Sequence, residues 1–399
     1  MTVRSLLSPH ALPDRPVLPA LEKGFRPFFL VGAVFAILAV PLWIVALKGG
    51  VAPGGAFGAM QWHAHEMLFG FSTAIIAGFL LTAISNWSGR ETVTGWPLAA
   101  LAALWVMGRA ALFFGSQLPS LIPPLVDVSF LPLLSLVCGR ALFASKSRRN
   151  YGFLGLLLGL ALANAAAHGS ALRADFEAVR LAHRFALNLI VIMLVAMTGR
   201  VLPMFTRNAT RLSWIRPLPL LERASLLTVV ALALCDLAPS ANMLSVALSG
   251  MAAVLLLARM RFWGTLHVAR QPLLWILHVG TLFIPLGLAL RVASAFSPSV
   301  PPSSSLHALT AGAIGSLTLG MMARVSLGHT GRMLVPARSA TWAMACLVCA
   351  ALVRVGAPFL STGGYLEALT VASALWSGAF VLFLFGYLKI LLSPRADAR

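Results

Sequence analysis

AVRLAHRFALNLIVIMLVAMTGRVLPM, residues 178–204, is the stretch that decides the fold. From Phe185 to Gly199 it carries no charged side chain. At about 1.5 Å of rise per residue, a helix of this length crosses a hydrocarbon core of about 30 Å. It is one of twelve such runs, placed approximately at 25–47, 62–85, 96–114, 122–143, 152–170, 178–204, 220–238, 241–260, 272–294, 304–326, 338–357 and 365–392. The composition agrees: 59% of residues are hydrophobic and 10% charged, with a mean hydropathy of +0.89. A soluble globular domain carries about 25% charged residues. The expected fold class is all-α, a polytopic membrane protein of twelve transmembrane helices.

The first 24 residues contain Pro9, Pro13, Pro16 and Pro19 and no apolar core, so residues 1–24 read as a tail rather than a cleavable signal, with the first helix as the insertion signal. Residues 25–392 form the helical domain and 393–399 a short C-terminal tail. A net charge of +19 would suggest nucleic acid in a soluble protein. Here its distribution reports topology. With the N-terminus inside, 23 of the 30 Lys and Arg fall on the cytoplasmic side, which predicts both termini in the cytoplasm. The same basic face suits anionic membrane lipid, so no nucleic acid partner is invoked. Cys138, Cys235, Cys346 and Cys349 all lie in or at the ends of apolar runs and suggest no disulfide framework; Cys346 and Cys349 form a C-x-x-C open to a soft metal or, as the simpler reading, two small apolar residues.

The twelve runs divide into three groups of four, near 25–143, 152–260 and 272–392. Histidines open the second run of each group, at His63 and His65, His183, and His307, with His65, His183 and His307 spaced 118 and 124 residues apart. His183, Met197, Arg200 and Val201 recur at identical offsets as His307, Met321, Arg324 and Val325, a pattern H-x13-M-x2-R-V. The first group lacks it, because Thr82 stands seventeen residues after His65. Histidine is costly inside a bilayer, so a recurrence at one depth points to metal or haem ligands. In Trp62-His63-Ala64-His65-Glu66-Met67 two imidazoles and a carboxylate share one turn; His63 and His65 point about 200° apart, whereas His63 and Glu66 share a face. Arg180 and Arg184 flank His183 four residues apart and suit the propionates of a haem. His278 lies deeper, as a ligand of a second site, part of a proton path, or a packed histidine. His10, His168, His267 and His329 lie in the tail, at helix ends or in loops and read as structural or solvated. No G-x-G-x-x-G, Walker loop or H-E-x-x-H occurs.

At Gly24-Phe25-Arg26-Pro27-Phe28-Phe29, Trp62 to Met67, Gly199-Arg200-Val201-Leu202-Pro203-Met204-Phe205-Thr206 and Leu327-Gly328-His329-Thr330-Gly331-Arg332, the chain resembles the NnrS family. The resemblance implies a haem- and copper-containing protein of the bacterial inner membrane, associated with denitrification, nitric oxide and resistance to nitrosative stress, without a settled reaction. It also raises the weight on His329. In pattern the layout is similar to the catalytic subunit of haem-copper oxidases, but their adjacent His-His pair is absent, and His278 is the nearest replacement. The expected sites are therefore His65, His183, His307, Arg180 and Arg184 for a cofactor, and His63, His65, Glu66, His183, His307, His278 and His329 for metal. Nitric oxide or a metal-nitrosyl species is the expected ligand, with an unidentified electron donor if the chemistry is redox. The competing expectation is a secondary transporter or ligand-conducting protein using the His/Glu cluster, against which stand the few intramembrane acids, Glu66 and Asp127.

Overall fold

The computed structural model describes residues 17–50, 53–238 and 243–397. The tail expected over 1–24 thus lies outside the described residues as far as Pro16, and His10 with it. Every regular element among the described residues is helical. In chain order the long helices are α1 (Phe25–Leu47), α2 (Gly58–His65, Glu66–Ser72 and Thr73–Ser88 in one continuous run), α3 (Gly95–Phe113), α4 (Ile122–Ala144), α5 (Tyr151–Leu172) and α6 (Phe176–Thr210). The second half holds α7 (Pro219–Cys235), α8 (Met243–Met260), α9 (Pro272–Phe296), α10 (Pro302–Gly328), α11 (Arg338–Gly356) and α12 (Thr362–Leu392). Among the described residues eleven are long and apolar enough to cross a membrane; α7, at 17 residues, is the short twelfth.

The longest helix shows how ends are set. Asp175 caps α6 by accepting from the Ala178 amide at 3.0 Å, which satisfies one of the orphan N–H groups of the first turn. Its far end runs past the apolar stretch, through Pro203, to Arg211 in the left-handed conformation. The proline removes one backbone donor without ending the helix, because tertiary contacts hold the chain on either side.

Burial ranks the helices. The most apolar stretch of α2 is 83% buried, of α10 72%, and of α6 and α9 67%, against 33–50% for the other membrane-length helices. The histidine-bearing helices α2, α6 and α10 therefore form the centre, and most others wrap them with one face to lipid. The wrap closes through α1 and α12, where Trp376 and Ser377 donate to the Ala36 and Ile37 carbonyls at 3.1 and 2.9 Å. At the end of α12, the Arg26 guanidinium donates to the Leu391 and Ser393 carbonyls at 3.0 and 2.5 Å. Both described ends of the chain thus lie at one end of the bundle, here the proximal end.

The repeat is visible in contacts there. Arg200 of α6 lies over the Trp87 ring at 4.5 Å, and Arg324 of α10 over the Phe205 ring at 3.9 Å. Each arginine stands seventeen residues after its histidine, and each ring twenty-two residues after the histidine of the preceding central helix. The third ring at that offset is His329, and the position of the missing arginine is Thr82. Phe25 fills the gap: its amide donates to Thr82 Oγ1 at 3.1 Å and its ring lies 6.0 Å from His329. This explains why His329 sits in a recognisable motif. It is the third member of a ring of aromatic contacts, at the opposite end from the other central histidines. Arg324→Met is expected to cost about 1–2 kcal/mol of unfolding free energy in detergent. A double-mutant cycle with Phe205→Leu should return a coupling of similar size, and simple additivity would show that the ring and cation do not interact.

Candidate metal centre

At the distal end, α2 is interrupted. The residues from Glu66 to Ser72 form a π-helical turn directly after His65, and Ala308 to Ile314 form another directly after His307. A π turn inserts one residue into the helix, widens it and releases carbonyls, and such turns are frequent at functional sites. In α2 the released carbonyls find partners: Met67 O accepts from Ser72 Oγ at 2.7 Å and Gly70 O from Trp105 Nε1 at 3.2 Å. The fifth residue of each turn is glycine, and in both a Cβ would clash. At Gly70 it would meet Glu66 Oε2 at 2.6 Å and Arg109 Nη1 at 2.9 Å; at Gly312 it would meet the Phe283 ring at 2.4 Å. The H-x13-M-x2-R-V pattern pairs α6 with α10, but the backbone at the histidines pairs α2 with α10.

His65, the last residue before the widened turn, enters a polar centre built by five helices. Asp127 of α4 is its hub. Its Oδ2 lies 3.0 Å from His65 Nε2, 2.9 Å from His168 Nε2, and accepts from Asn164 Nδ2 at 3.0 Å. Its Oδ1 pairs with Arg109 of α3, whose Nη1 donates to Glu66 Oε2 at 2.8 Å. His65, Asp127 and His168 bring one ligand atom each within 4.8 Å of one another and form the one group of three metal-ligating residues among the described residues. His183 of α6 joins them, its ring centroid 5.6 Å from that of His65. It is 6% exposed, and neither of its ring nitrogens has a hydrogen-bond partner; His65 Nδ1 has none either.

Physical chemistry limits what this arrangement can be. A buried imidazole with no partner on either nitrogen forgoes its hydrogen bonds, at roughly 1–3 kcal/mol for each unsatisfied group. With both carboxylates ionised, Arg109 leaves the group one negative charge in excess, and an enclosed uncompensated charge is costly. A bound cation answers both. Two imidazoles and a carboxylate, with a third imidazole adjacent, are a donor set that first-row transition ions accept. Asp127, within 3.0 Å of both imidazoles, would bring its carboxylate and the two rings onto one ion.

Access to the centre is visible as a cavity of about 400 Å³ lined by Gly54, Phe57, Gly115, Pro123, His168 and others. His168 opens directly onto it, and the Phe57 ring covers the rest of the centre, with ring centroids 4.5, 5.0 and 6.1 Å from those of His65, His168 and His183. Phe57 is carried on a strap in which Gly54, Gly55 and Gly58 have φ of +118°, +50° and +66°, values that L side chains rarely adopt.

The other residues singled out from the sequence fall elsewhere. Glu66 pairs with Arg109 of α3 rather than sharing a site with His63. His63 and His307 belong to a neighbouring cluster, so His307 does not join His65 and His183 in the contacts seen. Arg180 forms an ion pair with Glu177 on the surface, and Arg184 is half-buried. His278 has both ring nitrogens engaged, by Thr206 at 2.9 Å and Thr265 at 3.0 Å, and serves helix packing. His329 lies at the proximal end. Conversely, His168 reads from the sequence as a structural or solvated helix-end residue, yet it is buried in the centre. The spacing of Asn164 and His168, one helical turn apart on α5, was the available signal. Asp127 and Arg109 offered only the weaker signal of lone charges near helix ends.

No curated protein matches the chain. The family described as NnrS protein does, over residues 19–395, which takes in both π turns, every helix of the centre and the aromatic ring at the proximal end. With nearly its whole length matched, this multi-pass membrane-type chain belongs to the NnrS family.

Proposed function

We propose that the protein is a metal protein of the bacterial inner membrane that binds nitric oxide or handles metal-nitrosyl species at the distal histidine centre. The observation that carries this reading is His183, buried with two unpartnered nitrogens beside the His65–Asp127–His168 group. Copper suits the two imidazoles and the carboxylate. His183, with both ring nitrogens unpartnered, would hold the iron of a haem, which would supply binding of a diatomic ligand. Phe57 and Phe69 pack on these imidazoles, so a flat macrocycle there requires Phe57 to swing away on its glycine strap.

The residues themselves bind, orient and exclude water. Asp127 fixes the ring positions of His65 and His168, Arg109 bridges Asp127 and Glu66, and Phe57 covers His65 and His183 beside the cavity. Family membership supports haem and copper as occupants and nitrosative stress as the context. Metal analysis and optical spectra of the purified protein, before and after nitric oxide, test the reading. Copper or iron near stoichiometric amounts and a spectral change on adding nitric oxide are expected; metal-free protein, or spectra indifferent to nitric oxide, would overturn it.

A further inference from the structure

The distal end holds a second cluster, on the other side of α2. His63 stacks on Trp43 of α1, the ring centroids 4.2 Å apart and the planes 17° from parallel. On α10, His307 Nδ1 lies 2.7 Å from the Ser303 carbonyl oxygen. A carbonyl only accepts, so Nδ1 carries the proton and Nε2 presents a lone pair. The packing brings a cation to this cluster: Trp43 and Tyr365 belong to one packed group, and Arg354, in the last turn of α11, lies beside Tyr365 and acts electrostatically on both His63 and His307.

The fully buried Arg26, Arg109 and Arg259 each meet a carboxylate, whereas the half-buried Arg354 and Arg324 rest against rings. Arg354 meets none among the described residues; its guanidinium lies 5.9 Å from the Tyr365 ring centroid and its Nη1 is buried without a hydrogen-bond partner. The C-terminal dipole of α11 offers only about half a charge in compensation. Two more groups nearby are buried and unpartnered, His63 Nδ1 and Trp43 Nε1. An indole nitrogen can only donate, and a neutral imidazole nitrogen takes whichever role its ligand sets. One full positive charge with two further donors and no acid is the inverse of the Asp127 centre. A metal cation would add repulsion from Arg354; an anion would remove the missing charge and the missing acceptors together.

We propose that Arg354, His63 and Trp43 form an anion site for a small planar oxyanion or carboxylate, bounded by His307 and Tyr365. The fork of a guanidinium matches two oxygens of such a group, as in nitrite or formate. The same chemistry is offered by a carboxylate carried on a larger bound organic group. The site does not rest on the metal reading, since its charge deficit exists whatever the Asp127 centre holds.

The test uses the full-length protein in detergent. Sodium nitrite and sodium formate are titrated calorimetrically against a sodium chloride reference at constant ionic strength, and solvent extracts are analysed by mass spectrometry. A free-anion site gives saturable binding that R354Q weakens at least tenfold, with R354K in between because it keeps the charge without the fork. A site filled by a larger group gives no nitrite or formate binding to wild type, together with a carboxylate-bearing compound in wild-type extracts that R354Q lacks. Equal anion affinity in wild type and R354Q, or no anion binding with identical extracts, overturns the proposal. Should R354Q not fold, R354K and W43F carry the same comparison, each expected to weaken anion binding or deplete the organic group by several fold.

Discussion

Asp127→Asn is expected to leave less than a tenth of the wild-type metal in the purified protein. Asparagine keeps the size of the side chain, so the packing of α4 against α3 and α5 survives. It loses the charge that draws a cation, and it turns one acceptor into a donor facing His65 and His168, both within 3.0 Å of the present oxygen. Losing a carboxylate that only orients a ligand histidine costs about 10–100-fold in metal affinity; a carboxylate that also ligates costs more. Elemental analysis of metal per protein is the measurement. His278→Gln is the control, because both nitrogens of His278 are engaged elsewhere. Full metal content in Asp127→Asn, or equal loss in the control, would remove the centre from this position.

Arg109→Met is expected to destabilise the protein by roughly 3–5 kcal/mol, the cost of stripping the partner from buried ions. Arg109 is 7% exposed and spans two carboxylates, Glu66 at 1% and Asp127 at 2%. Methionine fills much of the volume but leaves both acids without a counter-charge. Adding Glu66→Gln should return part of the loss by removing one stranded charge, and lysine should rescue poorly because it cannot bridge both carboxylates. Denaturant midpoints in detergent read the effect. A midpoint equal to wild type would mean that the acids are protonated or that water reaches them.

The helices were legible because an apolar run is a property of one segment. A stretch such as 178–204 has to become a helix in a bilayer whatever its neighbours do, since its backbone finds no other hydrogen-bond partners. The structural ends differ from the expected ones by a few residues, the most where α6 continues to Thr210, held by contacts its own composition does not announce. The histidines at a common depth on α2, α6 and α10 pointed to a shared site, and the structure buries these helices most, together with α9.

The metal centre was half legible. His65 and His183 announced themselves by interrupting apolar segments near their starts. His168 did not, because a histidine at the end of a helix is compatible with water as well as with burial, and only the packing of α5 against α2 and α4 decides which. The π turns at Glu66 and Ala308 left no mark in hydropathy or spacing. They begin directly after His65 and His307 and place a glycine at each close helix approach, Gly70 against Glu66 and Arg109 and Gly312 against Phe283.

Sequence alone determined that this chain reads as twelve membrane-length helices, that histidines recur on three of them, and that the chain resembles its family. The first two follow from composition and spacing along the chain, and the third from short motifs. Only the tertiary structure decided that the distal histidines fall into two clusters of opposite charge, one around Asp127 and one around Arg354. Charge complementarity is a relation between helices, and no single helix contains it.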